Sequence, residues 1–224
     1  MKIDYTIKYS NRKTLNITID RNNKIHLTAP KGMPASDINA VVEKKKLWIF
    51  NKLKTKTKYP LDTKSKETVS GESLMYLGHK YKLILSNDII EGVIFSNKFT
   101  VSILNKSEAQ ELLYNWYLSQ AKKLFQEKVE LYSITLGVNP VKVVIRNLKY
   151  SWGSCSPNKT ITLNWKLIRA PIYVINYIIV HELAHLIELN HSAEFWNIVG
   201  VQVPEYNKAK RWLKENGGML EEEL

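Results

Sequence analysis

The chain has 224 residues, 44% of them hydrophobic and 24% charged, a balance that supports one substantial domain or two small ones and excludes general disorder. With 33 Lys+Arg against 21 Asp+Glu, the formal net charge is +12, which favours anionic partners without specifying one. A single cysteine, Cys155, excludes an intramolecular disulfide and an all-thiolate metal cage, and a reducing, cytoplasmic home is expected.

The N-terminal run MKIDYTIKYSNRK alternates polar and apolar residues, where a secretory signal needs an unbroken apolar stretch. Ile3, Tyr5, Ile7 and Tyr9 alternate, as do Leu15, Ile17 and Ile19 and then Ile25, Leu27 and Ala29, with Ser10-Asn11 and Arg21-Asn22-Asn23 between them. Three antiparallel strands are expected. From Ser36, a plausible cap, to Leu53 the apolar positions Ile38, Val41, Val42 and Ile49 fall near helical spacing, so one basic amphipathic helix is expected there. The runs Leu74–Leu77, Tyr81–Leu85, Ile89–Phe95 and Phe99–Leu104 are short and separated by turn-formers, which favours hairpins.

Charge follows the same division. Residues 1–100 carry 19 Lys+Arg and 9 Asp+Glu, against 14 and 12 in residues 101–224. Lys44 to Lys66 holds nine lysines and one acid, Asp62. Solvated surface and an anion-binding face are the two readings of such a stretch, and nucleic acid is the partner the second implies.

Ser107, with Gln110 three positions on, is a capping-box signature that opens a helix running to Gly137. Val141–Ile145 and Thr160–Asn164 read as strands, with Trp152-Gly153-Ser154-Cys155-Ser156 between them. Pro171 suits the first turn of a helix continuing through Leu189, and further helices follow from Ser192 and Pro204. The longest strongly apolar stretch, Ile172 to Val180, is interrupted by Asn176 and falls far short of the roughly 20 residues that cross a bilayer. A soluble α+β protein without membrane contact is expected, with a β-rich basic domain over residues 1–104 and a compact second domain over 105–224.

The decisive segment is HELAHLIELNH, residues 181–191. His181 and His185 share one face of a helix advancing about 100° per residue, and can hold one tetrahedral ion. Glu182, one residue off that face, suits a general base acting on water at an open position. His191 would fall about 240° beyond His185 on a continuing helix, so the chain must leave the helix before it. Asn190, which tolerates the left-handed conformation, is a suitable exit. Glu188, about 20° off the His181 face, is either a rival third ligand or a partner orienting an imidazole. With 5 His and 16 Glu in the chain, chance yields HExxH in just under about one shuffled sequence in a hundred. Adding a histidine at one fixed spacing lowers this to about one or two in ten thousand.

The runs SWGSCS, ITLNWKLIRAP, VINYIIVHELAHLIELNHSAEFW and PEYNKAKRWL resemble the YgjP-like predicted metal-dependent hydrolases, relatives of the SprT-like zinc proteases. IHLTAPKG and SGESLMYLGHKYKL extend the resemblance into the first half. It implies a zincin-like metallopeptidase domain in which His181, His185 and His191 hold one zinc ion (Zn2+) and Glu182 is the catalytic base. The family usually has a basic residue before WGSCS, where this chain has Ser151. The metzincin pattern shares the histidine spacing but requires glycine where Glu188 stands.

Peptide-bond hydrolysis is therefore the leading expectation, with a protein or peptide substrate. An extended substrate would pair with an edge strand formed by Trp152 to Ser156 or by Thr160 to Asn164, so Trp152, Gly153, Ser154 and Asn164 are its expected contacts. Gly153 would permit close backbone approach. Tyr206 is a weak candidate for an oxyanion donor, and Cys155 reads as a packing residue. Two alternatives stand beside this reading. One is a metal-dependent nucleoside-triphosphate pyrophosphatase, an activity attributed to some YgjP-like members; the other is a nucleic-acid-binding module with a structural metal. Oligomeric state is not legible.

Overall fold

The computed structural model describes residues 3–20, 23–57, 68–86, 92–102, 106–222 and 224. These residues form ten strands and six α-helices, an α+β chain that divides into two compact units, Met1–Leu61 and Asp62–Leu224. No described helix is long and apolar enough to cross a membrane.

In the first unit, strands β1 (Tyr5–Ser10), β2 (Asn16–Ile19) and β3 (Ile25–Pro30) lie in the order β1-β3-β2. β2 and β3 form an antiparallel hairpin, its turn held by Lys24 N–H donating to Asp20 Oδ1 at 2.9 Å. β1 instead runs parallel to β3, with Tyr5 opposite Ile25 and Tyr9 opposite Ala29. This corrects the expectation of three antiparallel strands. Alternation identifies the buried face of a strand, but says nothing of which neighbour it pairs with.

The single expected helix is two, α1 (Ala35–Lys44) and α2 (Lys46–Thr57), broken at Lys45, whose φ of −96° and ψ of 4° leave the helical region. Pro34, not Ser36, occupies the N-cap position. Its fixed φ pre-organises the entry in place of a side-chain cap. Ile38 and Val42 of α1 and Ile49 of α2 pack with Ile25, Leu27 and Ala29 in a small core.

The second unit begins with strands β4 (Ser73–Tyr76), β5 (His79–Ser86), β6 (Val93–Phe95) and β7 (Phe99–Ser102), in the order β4-β5-β7-β6. Of the expected runs, Ile89 to Glu91 and Ile103-Leu104 lie outside the described residues. Helix α3 (Lys106–Leu136) ends, as expected, before Gly137 at φ +66°; the Ser107 side chain lies outside the described residues. Ala109, Leu113, Tyr117, Ala121, Phe125 and Val129 form a fully buried stripe at four-residue spacing. Such a stripe precesses about 40° per step, so one long helix serves partners on several sides. Tyr117 Oη donates to Met75 O at 2.7 Å.

Leu74, Leu83, Phe99 and Val101 of the four-stranded sheet share this core. The structural boundary therefore falls near residue 61 and not at 104: a change from strand to helix pattern marks a change of element, whereas a unit is bounded by its core.

A second sheet contains β8 (Lys142–Arg146), β9 (Gly153–Cys155) and β10 (Thr160–Asn164) in the order β8-β10-β9, with β10 parallel to β8 and antiparallel to β9. A 3₁₀ turn, Trp165–Arg169, leads into α4 (Ile172–Ala184), followed by α5 (Ala193–Gln202), α6 (Tyr206–Asn216) and a final 3₁₀ turn, Gly217–Glu221. Buried Arg169 donates through Nη1 to the carbonyls of Leu220 and Glu222 at 3.2 and 2.7 Å. Its guanidinium also lies over the rings of Tyr117 and Trp165, which ties the end of the chain to the core.

Candidate metal centre

α4 is the buried helix of the second unit, with Val174, Ile175, Ile178, Ile179, Val180, Leu183 and Ala184 all in the core. The apolar helix delivers His181 and Glu182 from its last turn, and His185 stands at its C-cap. The helix stops at Ala184, earlier than Leu189. Leu186 and Ile187 N–H groups bond back to Leu183 and Ala184 carbonyls, and Glu188 N–H to Ala184 O at 2.9 Å. Asn190 is not among the residues with positive φ. The exit is thus made by a tight turn over residues 185–188, and a left-handed Asn190 is not needed.

This turn brings the three histidines together. One potential ligand atom from each of His181, His185 and His191 lies within 4.8 Å of the others. His181 Nε2 and His191 Nε2 approach to 3.1 Å, a separation at which two imidazole nitrogens must share a proton or a cation. His185 Nδ1 lies 3.1 Å from Glu188 O. Donation to that carbonyl fixes the tautomer and leaves Nε2 free as a ligand. Glu188 therefore orients an imidazole through its main chain, while its carboxylate accepts Asn190 N–H at 3.1 Å and stands outside the triad. Three converging imidazole nitrogens match the donor set of a small zinc site. Burial and the neighbouring His185, His191 and Lys210 lower the His181 pKa to about 3, so this imidazole is neutral at physiological pH, as a ligand must be.

Phe195 is fully buried, and its ring centre lies 4.6–4.9 Å from all three imidazoles. It is placed by Ser192, whose hydroxyl accepts Phe195 N–H at 3.3 Å and caps α5 as expected. Trp196 follows, stacked on His191 at 5.7 Å and on Tyr206 at 5.3 Å. Tyr206 in turn stacks on Tyr177 at 6.4 Å.

Glu182 is buried, and burial pushes its pKa up to about 8 against the opposing hydrogen bond from Cys155 N–H. Gly153 is what admits this side chain: a β-carbon there would lie 2.6 Å from Glu182 Cγ and Oε1. The close approach expected of Gly153 is thus to the carboxylate. Along β9, Asn164 N–H bonds to Trp152 O and Ser156 N–H to Thr160 O. By alternation the main-chain groups of Gly153 and Cys155 face away from β10.

The other expected contacts lie elsewhere. Trp152 packs on Gly217, 3.5 Å from where that residue's β-carbon would be. Ser154 is exposed opposite Thr162, on the face of β9 away from Glu182. Asn164 is fully buried; its Oδ1 accepts Lys166 N–H and its Nδ2 donates to Leu148 O, so it belongs to the scaffold. β10 is the central strand, which leaves β9 as the edge beside α4. Phe195, Trp196 and Lys210 are site residues missed from the sequence. The Ser192 cap directly after His191 was the signal that placed the first turn of α5 there.

A histidine triad at a helix end, with a buried glutamate between two of its members, is a donor set that could hold a metal ion. The YgjP-like, metallopeptidase domain family matches residues 13–216, nearly the whole chain, and the chain belongs to that family. Two crystal structures of metallopeptidase zymogens are similar to part of it. Abylysin of Pyrococcus abyssi is 29% identical over 40% of this chain and 93% of its own, with a TM-score of 0.35. Jannalysin of Methanocaldococcus jannaschii is 26% identical over 40% and 96%, also with a TM-score of 0.35. A search of curated proteins found no match.

Proposed function

We propose that this chain is a zinc-dependent peptidase in which His181, His185 and His191 hold one zinc ion and Glu182 is the general base. The observation that carries the reading is the convergence of three imidazoles within 4.8 Å, beside a carboxylate for which Gly153 makes room. Zinc in such a site supplies Lewis acidity toward a peptide carbonyl and toward water. Glu182 takes a proton from the attacking water and returns it to the departing amine as the C–N bond breaks. Cys155 N–H holds the carboxylate in place during both transfers, and the buried ring of Phe195 packs against all three imidazoles.

Glu182→Gln tests this. The variant is expected to bind one zinc per chain by elemental analysis while hydrolysis of an unstructured protein falls by about 10²–10⁴. Undiminished hydrolysis would end the base assignment.

A second reading concerns partners. Met1–Leu61 holds 14 Lys+Arg and four Asp+Glu. α1 and α2 expose Lys44, Lys45 and Lys52 together with Leu47 and Trp48, which are 79% and 41% exposed. Lysines interleaved with an exposed aromatic suit a nucleic-acid backbone and its bases. Binding to single-stranded DNA should weaken steeply with salt, and the slope should fall when Lys44, Lys45 and Lys52 become Glu; no binding at low salt would refute it.

A further inference from the structure

Tyr206 and Lys210 are four residues apart on α6 and therefore share a face. Both meet Trp196: Tyr206 stacks on it at 5.3 Å, and Lys210 Nζ stands 4.1 Å from the centre of its ring. Trp196 is stacked in turn on His191 at 5.7 Å. The two distances, 4.1 and 5.7 Å, put the ammonium within about 10 Å of the His191 imidazole. Lys210 is exposed, and among the described residues it has no carboxylate within ion-pair distance. The cation–π contact holds an otherwise flexible charge in one place.

This placement opposes the metal. A fixed ammonium beside three imidazoles that gather a dication adds positive potential where positive charge is already concentrated. Glu182 lies against β9 and is bonded to Cys155 N–H, and the Glu188 carboxylate accepts Asn190 N–H, so neither forms an ion pair with Lys210. The exposed Lys210 ammonium thus adds positive charge on the solvent-open His191 side of the centre, and it is complementary to an anion arriving with the substrate.

We infer that Lys210 is a specificity-determining residue that binds a carboxylate of the peptide substrate. That carboxylate is either an Asp or Glu side chain or the free C-terminal carboxylate. An extended chain advances about 3.3–3.6 Å per residue, so the carboxylate lies within about three residues of the bond to be cleaved. The inference rests on the peptidase reading above.

The test uses three peptides matched in length: one with a single Glu two residues from the cleaved bond and an amidated end, one with Gln in its place and a free carboxylate, and one with Gln and an amidated end. In the zinc-loaded protein, Lys210→Ala is expected to lower the preference (ratio of kcat/KM) for a carboxylate-bearing peptide over the neutral one about five- to tenfold. The change should lie in KM. Lys210→Arg should retain the preference, and Lys210→Glu should reverse it, so that the neutral peptide is preferred over both acidic ones. Which of the two acidic peptides loses more identifies the source of the carboxylate.

Calorimetric titration of the same peptides into zinc-free protein gives a readout independent of turnover. Weaker binding of the acidic peptide to Lys210→Ala supports the inference, and equal binding overturns it. Equal loss on all three peptides, or an unchanged preference, also overturns it. If the native protein cleaves none of them, the peptidase reading falls while the titration still decides the role of Lys210.

Discussion

Gly153→Ala probes the contact on which the position of Glu182 depends. The added methyl would sit 2.6 Å from Cγ and Oε1 of Glu182 and 2.9 Å from Cδ, whereas nonbonded carbons rest at about 3.5–4.0 Å. About 1 Å must be found. Glu182 Cγ is one bond from a β-carbon fixed by a buried helix, so the carboxylate has to rotate away from Cys155 N–H, or β9 has to separate from α4. Overpacking of this kind costs about 1–3 kcal/mol, and the lost hydrogen bond adds about 0.5–1.5 kcal/mol. At about 2–4 °C per kcal/mol for a domain of this size, Tm should fall by roughly 3–10 °C.

The diagnostic result is a change of sign. Gly153 lies outside the left-handed region, so alanine is compatible with its backbone and is favoured over glycine by about 0.4–1 kcal/mol once the clash is gone. Gly153→Ala should therefore destabilise the native protein and stabilise Glu182→Ala, giving a clear coupling in a double-mutant cycle. Thermal and urea unfolding of zinc-free protein, followed by circular dichroism, measures both backgrounds. An equal cost in the two, or none in either, would refute the argument that the Glu182 side chain is what requires glycine.

Two further outcomes follow from the same geometry. Glu188→Ala removes the carboxylate that accepts Asn190 N–H but leaves the carbonyl that accepts from His185; one zinc per chain should persist, with affinity weakened by less than about tenfold, and loss of the metal would make the carboxylate a ligand after all. Arg169→Met leaves the Leu220 and Glu222 carbonyls without their donor; stability should fall by about 1–3 kcal/mol and residues 217–222 should be cut faster in limited proteolysis, with unchanged protection as the contrary result.

What was legible from the sequence was mostly local. The Ser192 cap, the stop at Gly137 and the histidine spacing each depend on residues within one or two turns, and each appears in the structure where the pattern placed it. What was missed needed partners distant in the chain. β1 pairs with β3 and not with β2 because strand alternation carries no address. The four-stranded sheet belongs to the second unit because its apolar face meets α3. Asn164 looked like a substrate contact because it ends the strand next to the site, yet Lys166 N–H and Leu148 O already occupy its amide. Lys210 went unnoticed because nothing near it in sequence announces that its helix face returns to Trp196.

The three histidines all fall within residues 181–191, while what surrounds them comes from far along the chain: Gly153 and Cys155 upstream, Lys210 downstream. The ion-gathering part is in effect a cassette, short enough to be inherited or transplanted as one piece. Its flanks are separate modules. Libraries confined to residues 206–210 vary the surroundings of the triad and leave its three histidines unchanged, whereas position 153 is tied to Glu182 and has to stay glycine.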